Sequence, residues 1–212
     1  MLKVVSTLQI FYKMAYMKIS LLVALSLLGG CALRSADRLG VVKMDNGEWF
    51  IGRREEMESS LSGLPVKELH VGRRMGRLSI SGIAPYGLAF SDMIERIWID
   101  DGVALSEFCL CTNYSLQHVR LPEDIGEIPA GLCSGCVKLT AIKIPETVRR
   151  IERQAFYYTG IEDVYIPDSV EFVGDEAFGD CRSLKSVSVP SDTILHKGAF
   201  SGSDHAVVTR RN

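Results

Sequence analysis

Residues 139–204 write one sentence three times: LTAIKIPETVRRIERQAFYYTG, then IEDVYIPDSVEFVGDEAFGDCRS, then LKSVSVPSDTILHKGAFSGSD. The period is 22 or 23 residues, with Pro145, Pro167 and Pro190 at one phase and Ala155/Phe156, Ala177/Phe178 and Ala199/Phe200 at another. A unit this short cannot bury its own apolar face and must stack on its neighbours, so a fixed period in the twenties marks a solenoid.

Working outward, an apolar-x-x-apolar-x-apolar pattern carries the same phase through the chain. Its copies are Ile94/Ile97/Ile99, Leu116/Val119/Leu121, Leu139/Ile142/Ile144, Ile161/Val164/Ile166 and Leu184/Val187/Val189. Side chains alternate across a strand, so the last two members of each triplet point into the coil and the residue between them points out. Proline suits the corner that follows, because it fixes its own φ and cannot donate to a ladder. The Ala-Phe pair then fills the far side, and Cys109/Leu110 and Leu132/Cys133 hold that phase in the earlier copies.

At IPDSVEFVGDEAFGDCRSL the sequence resembles the BspA-type leucine-rich repeat, whose units read roughly IPxxVxxIGxxAFxxCxxL. The resemblance covers residues 92–204 well and 69–91 loosely. It departs at Asp100, which stands for the first proline, in the units ending at Tyr114 and Val137, which lack Ala-Phe, and at Thr159, where Cys136 and Cys181 stand in other copies. It implies a leucine-rich-repeat solenoid, mostly short parallel β-strands with turns or short helical segments behind them. It also implies the family's usual setting, bacterial cell-surface proteins that bind other proteins of the host or of neighbouring cells.

Outside the repeats, GVVKMDNGEWFIG places Asn46-Gly47 between two apolar runs, a strong hairpin signal because both turn positions accept positive φ. REEMESSLSGLP is helix-tolerant, and LHV and RLSISGI look like strands. These readings divide the chain into a hairpin-containing N-terminal cap at 39–76, repeats at 77–204 and a C-terminal cap at 205–212, where HAVVTRRN starts a sixth strand.

The first 38 residues read as a leader and a tether. Lys18 precedes LLVALSLLGG and Cys31, giving a charged start, a short apolar core and small residues before a cleavage point. Leu28-Gly29-Gly30-Cys31 resembles the lipobox of bacterial lipoproteins, so residues 1–30 are expected to be removed and Cys31 acylated. Residues 1–16 look like an extension upstream of a start at Met17, and 31–38 form the tether. The expected location is the bacterial cell envelope, lipid-anchored at the outer membrane or cell surface.

Composition is that of an ordinary folded chain, 47% apolar and 24% charged over 212 residues, enough for one modest domain. Without residues 1–30, 21 basic residues face 26 acidic ones, a net charge of −5 that argues against nucleic acid, whose binding needs a basic stripe. The paired arginines Arg53/Arg54, Arg73/Arg74, Arg149/Arg150 and Arg210/Arg211 are scattered, as solvated surface charges are.

Two outward columns form the candidate binding face: Trp98, Arg120, Lys143, Tyr165 and Ser188, and beside it Arg96, His118, Ala141, Asp163 and Ser186. Trp, Tyr and Arg supply most of the affinity at protein interfaces. The competing reading is that the rungs stabilise each other, Trp98 over Arg120 and Lys143 with Tyr165, as cation–π pairs. Tyr157 and Tyr158 make a second, weaker patch.

Five cysteines follow Cys31. Cys-Leu-Cys at 109–111 and CSGC at 133–136, with 21 residues between, superficially resemble a zinc layout. The same residues also read as buried thiols or as one disulfide, whereas Cys136 and Cys181 lie two rungs apart, too far to bridge. Catalysis finds no motif: there is no phosphate loop, nucleophile elbow or metalloprotease signature, and His70, His118, His196 and His205 stand at no recognisable spacing from an acid or nucleophile. The reading is therefore non-enzymatic, with no metal or cofactor, and a protein partner bound by the repeat surface. Its rivals are a structural or assembly component of the envelope with a bacterial partner and, remotely, a carbohydrate binder or minor enzyme.

Overall fold

Residues that share a phase in the sequence lie side by side in space. The computed structural model describes residues 40–43, 49–52, 67–75 and 77–212, so the leader, Cys31, the tether, Asn46-Gly47 and the helix-tolerant stretch lie outside the described residues. Each coil runs through a strand, a corner, a two-residue strand and a turn, and about six coils stack. Among the described residues the segments behind the strands are turns, with no helix.

The first face carries β3 (Glu68–Val71), β7 (Arg96–Ile99) and β9 (His118–Arg120) in one parallel sheet. Farther along it carries β12 (Asp163–Tyr165), β14 (Ser186–Pro190) and β16 (Val207–Arg211) in another. The registers keep the repeat: Trp98 pairs with Arg120, and Tyr165 with Ser188. The second face carries β6 (Gly82–Ile83) beside β8 (Ala104–Leu105), then β10 (Glu127–Ile128), β11 (Arg150–Ile151), β13 (Phe172–Val173) and β15 (Ile194–Leu195).

The N-terminal hairpin forms from β1 (Gly40–Lys43) and β2 (Trp49–Gly52), antiparallel and closing at the Lys43–Trp49 pair. Strand β2 then pairs in parallel with β6, so the hairpin extends the second face at its N-terminal edge. Strand β3, inside the stretch assigned to the cap, is a full rung: Leu69 pairs with Ile97 and His70 with Trp98. Its offset is 28 residues because a small antiparallel hairpin of β4 (Arg74–Met75) and β5 (Leu78–Ser79) is inserted after it.

The coil interior is filled as alternation demands. Ile97, Ile99, Leu121, Ile144, Val164, Ile166, Val187 and Val189 are buried, and so are Val148, Ile151, Val170 and Val173 past the corner. Each such side chain contributes roughly 1.5–3 kcal/mol relative to its exposure to water. On the turn side Phe156 and Phe178 stack at 5.2 Å and Phe178 and Phe200 at 5.8 Å between ring centroids.

One coil departs from the pattern. Residues 140–144 form no strand, so the first face splits into two sheets, and Ile142, expected to point inward, is only partly buried. The second face splits between β8 and β10. Near that split carboxylates bridge the coils, with Glu123 N–H donating to Asp101 Oδ1 at 2.8 Å and Gly102 N–H to Asp124 Oδ1 at 3.0 Å.

The turns supply the continuous seam. Leu88 N–H donates to Cys109 O, Leu110 to Leu132, Cys133 to Ala155, Phe156 to Ala177 and Phe178 to Ala199, all at 2.8–3.1 Å. To aim these donors, each of five successive turns places two residues in the left-handed region, four apart: Tyr86/Phe90, Phe108/Thr112, Gly131/Gly135, Gln154/Tyr158 and Glu176/Asp180. Left-handed backbone costs a non-glycine residue energy, so the ladder bonds on either side must offset it. Gly131 is required for a second reason: a Cβ there would lie 2.1 Å from the Phe108 ring.

Candidate functional site

The outward residues of the first face descend from strand alternation, and the two sheets treat them differently. In the β3–β7–β9 sheet, His70, Trp98 and Arg120 are successive rungs of one column, and Glu68, Arg96 and His118 of the next. Trp98 is half-buried rather than exposed, because His70 and Arg120 flank it on adjacent rungs. Glu68, His70, Trp98, Asp100 and Arg120 line a shallow depression of about 510 Å³.

The charges around it are unevenly committed. Arg96 Nε donates to Glu68 Oε1 at 2.9 Å, and His70 Nε2 lies 2.6 Å from Asp100 Oδ1. At the rim Lys67 donates to Glu95 at 2.8 Å, and that bond holds the Glu95 carboxyl below its ordinary range. His118 and Arg120 are exposed and have no ion pair or side-chain hydrogen bond among the described residues.

In the β12–β14–β16 sheet the same column is closed by the chain itself. The Arg211 guanidinium lies 4.1 Å above the Tyr165 ring, donates to Ile166 O and Asp168 Oδ1 at 2.6 Å, and reaches Ser188 Oγ at 2.9 Å. Asp163 accepts from Ser186 Oγ at 2.5 Å. The expected pairing of Lys143 with Tyr165 is replaced, since Lys143 bonds Glu123 at 2.8 Å in the coil that has left the ladder.

Nor are all the paired arginines simply solvated. Arg149 bonds Glu171 at 2.6 Å, Arg150 lies 4.6 Å above the Phe172 ring, and Arg210 Nη1 bonds the corner carbonyls of Pro190, Ser191 and Thr193 at 2.7–3.2 Å. On the turn side Tyr158 is exposed, while Tyr157 donates its hydroxyl to Asp180, which pushes the phenol above its ordinary range.

The five cysteines after Cys31 are buried, and Cys109, Cys133, Cys136 and Cys181 are free thiols. Cys136 and Cys181 belong to a buried column with Ser91, Asn113, Thr159 and Ser203, one residue per coil. Four of its members donate to turn carbonyls: Cys136 Sγ to Leu110 O at 3.3 Å, Cys181 Sγ to Phe156 O at 3.1 Å, Thr159 Oγ1 to the same Phe156 O at 3.0 Å, Ser203 Oγ to Phe178 O at 2.7 Å. What this position demands is a compact donor, which explains why Thr159 replaces cysteine there. Burial raises the Cys109 and Cys181 thiols, and a hydrogen bond with Cys136 together with burial raises Cys133. Among the described residues no three His, Cys, Asp or Glu side chains are placed to hold a metal ion.

Sequence reading missed Glu68, His70 and Asp100 as parts of the depression. For Glu68 and His70 the signal was the alternation in ELHV, which the inserted hairpin moves out of the 22-residue phase, whereas Asp100 keeps the phase and reads only as a polar corner residue in the place of proline.

The profile of the BspA type leucine rich repeat region matches residues 89–208 in six copies, more than half of the chain. The chain belongs to the BspA-type leucine-rich repeat family. Solved leucine-rich repeat proteins share its coil. One from Bacteroides ovatus is 25% identical with a TM-score of 0.66 over 80% of this chain and 45% of its own length. The T. pallidum leucine rich repeat protein is 20% identical with a TM-score of 0.61 over 82% of this chain and 79% of its own. A leucine rich cell surface protein from Faecalibacterium prausnitzii is 15% identical with a TM-score of 0.50 over 82% and 38%. This chain thus spans less than half the length of two of these relatives. No curated protein matches it.

Proposed function

We propose that this member of the BspA-type family is a lipid-anchored protein of the bacterial cell envelope that binds another protein through its first strand face. Adhesion to a host or neighbouring cell is the role this serves. The family's repeats and the cell-surface relative from Faecalibacterium support the setting, and the leader ending at Cys31 supports the anchor. The observation that carries the reading is the depression around Trp98, where a half-buried aromatic lies beside a cation with no partner among the described residues. Coils fixed by the turn ladder would hold these groups in place before docking, so little entropy is lost on binding.

A photo-crosslinking residue at His118, exposed beside Arg120 on β9, with a second at Arg182 on the turn side as control, tests the face in intact cells. A partner trapped from position 118 but not from position 182 is expected; trapping from position 182 alone, or from neither, would refute the face. Surface display is tested by shaving whole cells with protease. A chain that resists until the cells are broken is no adhesin and becomes an internal assembly component. Palmitate incorporation, lost in Cys31→Ser, is the expected result for the anchor.

A further inference from the structure

Resting on the first strand face as a docking surface, we infer that the depression on β3, β7 and β9 takes an acidic segment of a partner protein. In that pose a carboxylate of the segment meets the Arg120 guanidinium and a neighbouring apolar side chain covers the Trp98 ring.

Charge complementarity selects this occupant. Other cations on or beside the face already have a carboxylate: Arg96 has Glu68, Lys143 has Glu123, Lys185 has Glu162 and Arg211 has Asp168. Arg120 has none among the described residues, and neither does its strand neighbour His118. The acids that line the depression are engaged, Glu68 by Arg96 and Asp100 by His70. The walls therefore offer no carboxylate without a cation to a basic ligand. They offer one cation beside one aromatic ring.

The geometry fits a single short segment. Trp98 and Arg120 pair in register on adjacent parallel strands, about 4.8 Å apart, so side chains two residues apart, on one face of an extended peptide, reach both. The guanidinium fork matches a carboxylate with two parallel N–H···O bonds. An exposed ion pair alone is weak, so the apolar contact on Trp98 must supply much of the affinity, and Arg120 the choice of partner.

The test titrates the full chain into fluorescein-labelled peptides of one length that repeat Leu-Ser-Glu-Ser, Leu-Ser-Lys-Ser or Leu-Ser-Ser-Ser, so that Leu and the variable residue share a face, and into a labelled neutral oligosaccharide. The Glu-containing peptide is expected to bind tightest and to weaken as salt is raised. Arg120→Glu should weaken it by at least about tenfold and Arg120→Lys less. Trp98→Ala should weaken it as well, with Trp98→Phe as the gentler variant if the alanine protein fails to fold. An unchanged affinity in Arg120→Glu, or a Lys-containing peptide or sugar that binds tighter, overturns the acidic partner. If no probe binds, the acidic assignment also fails, and crosslinking from position 118, which leaves Arg120 in place, separately decides whether the face docks anything.

Discussion

Trp98 and Tyr165 occupy the same outward phase of the first face, three coils apart, yet the two halves of that face are in different states. Tyr165 is the more exposed ring, at 54%, but Arg211 lies over it and is itself held by Asp168, Ser188 and a carbonyl. Trp98 is half-buried, and the cation beside it is uncommitted among the described residues. Exposure alone is therefore a poor guide to a docking residue. What matters is whether the chain has already satisfied the groups around it. The C-terminal half spends its aromatic on internal cohesion, and the N-terminal half leaves its own available.

The largest test concerns what supports the closed half. Phe178→Ala removes the ring between Phe156 and Phe200, and urea unfolding should report a loss of about 3–5 kcal/mol. Arg211→Ala opens the closed half directly. The expected cost is about 1–2 kcal/mol, from the lost ring contact and charged hydrogen bonds, and Tyr165 should become more readily iodinated. If Arg211→Ala costs nothing, Arg211 does not close the C-terminal half and the two halves are alike.

The thiols behind the face give a pH signature. Cys109, Cys133 and Cys181 are all raised in the folded chain, so the folded state retains protons that the unfolded chain releases once pH passes about 8.5. Their contribution to stability should be intact below that pH and decline as pH climbs above it. Urea midpoints between neutral and alkaline pH measure the decline, which Cys133→Ala should make shallower. The smallest effect is the most diagnostic: Arg120→Ala should leave stability within about 0.5 kcal/mol, because no described partner is lost. A larger drop would mean that Arg120 is structural and the open half is also closed.

Much of the coil was legible because its signals are local and repeated. Pro145, Pro167 and Pro190 marked the corners, the apolar triplets marked the strands, and all three prolines are buried in line. The two-residue left-handed pattern was not legible, since Phe108, Gln154, Tyr158 and Glu176 hold φ values near 55° that no local propensity favours. Those angles are imposed by bonds to the next coil. The break at residues 140–144 was equally hidden: Leu139/Ile142/Ile144 fits the pattern as well as any triplet.

For the candidate face, sequence placed Trp98, Arg120, Lys143 and Tyr165 in one column, yet could not choose which were free. Arg211 reaches Tyr165 and Asp168 from 46 and 43 residues away, and the inserted β4–β5 hairpin carries Glu68 and His70 to Trp98 across a 28-residue offset. The amino-acid order by itself determined that the chain stacks and which residues look inward, because a 22-residue apolar unit has no other way to leave water. Only the folded stack decided which outward groups are satisfied, because their partners lie one or two coils away, where charge and distance rather than sequence spacing govern who pairs with whom.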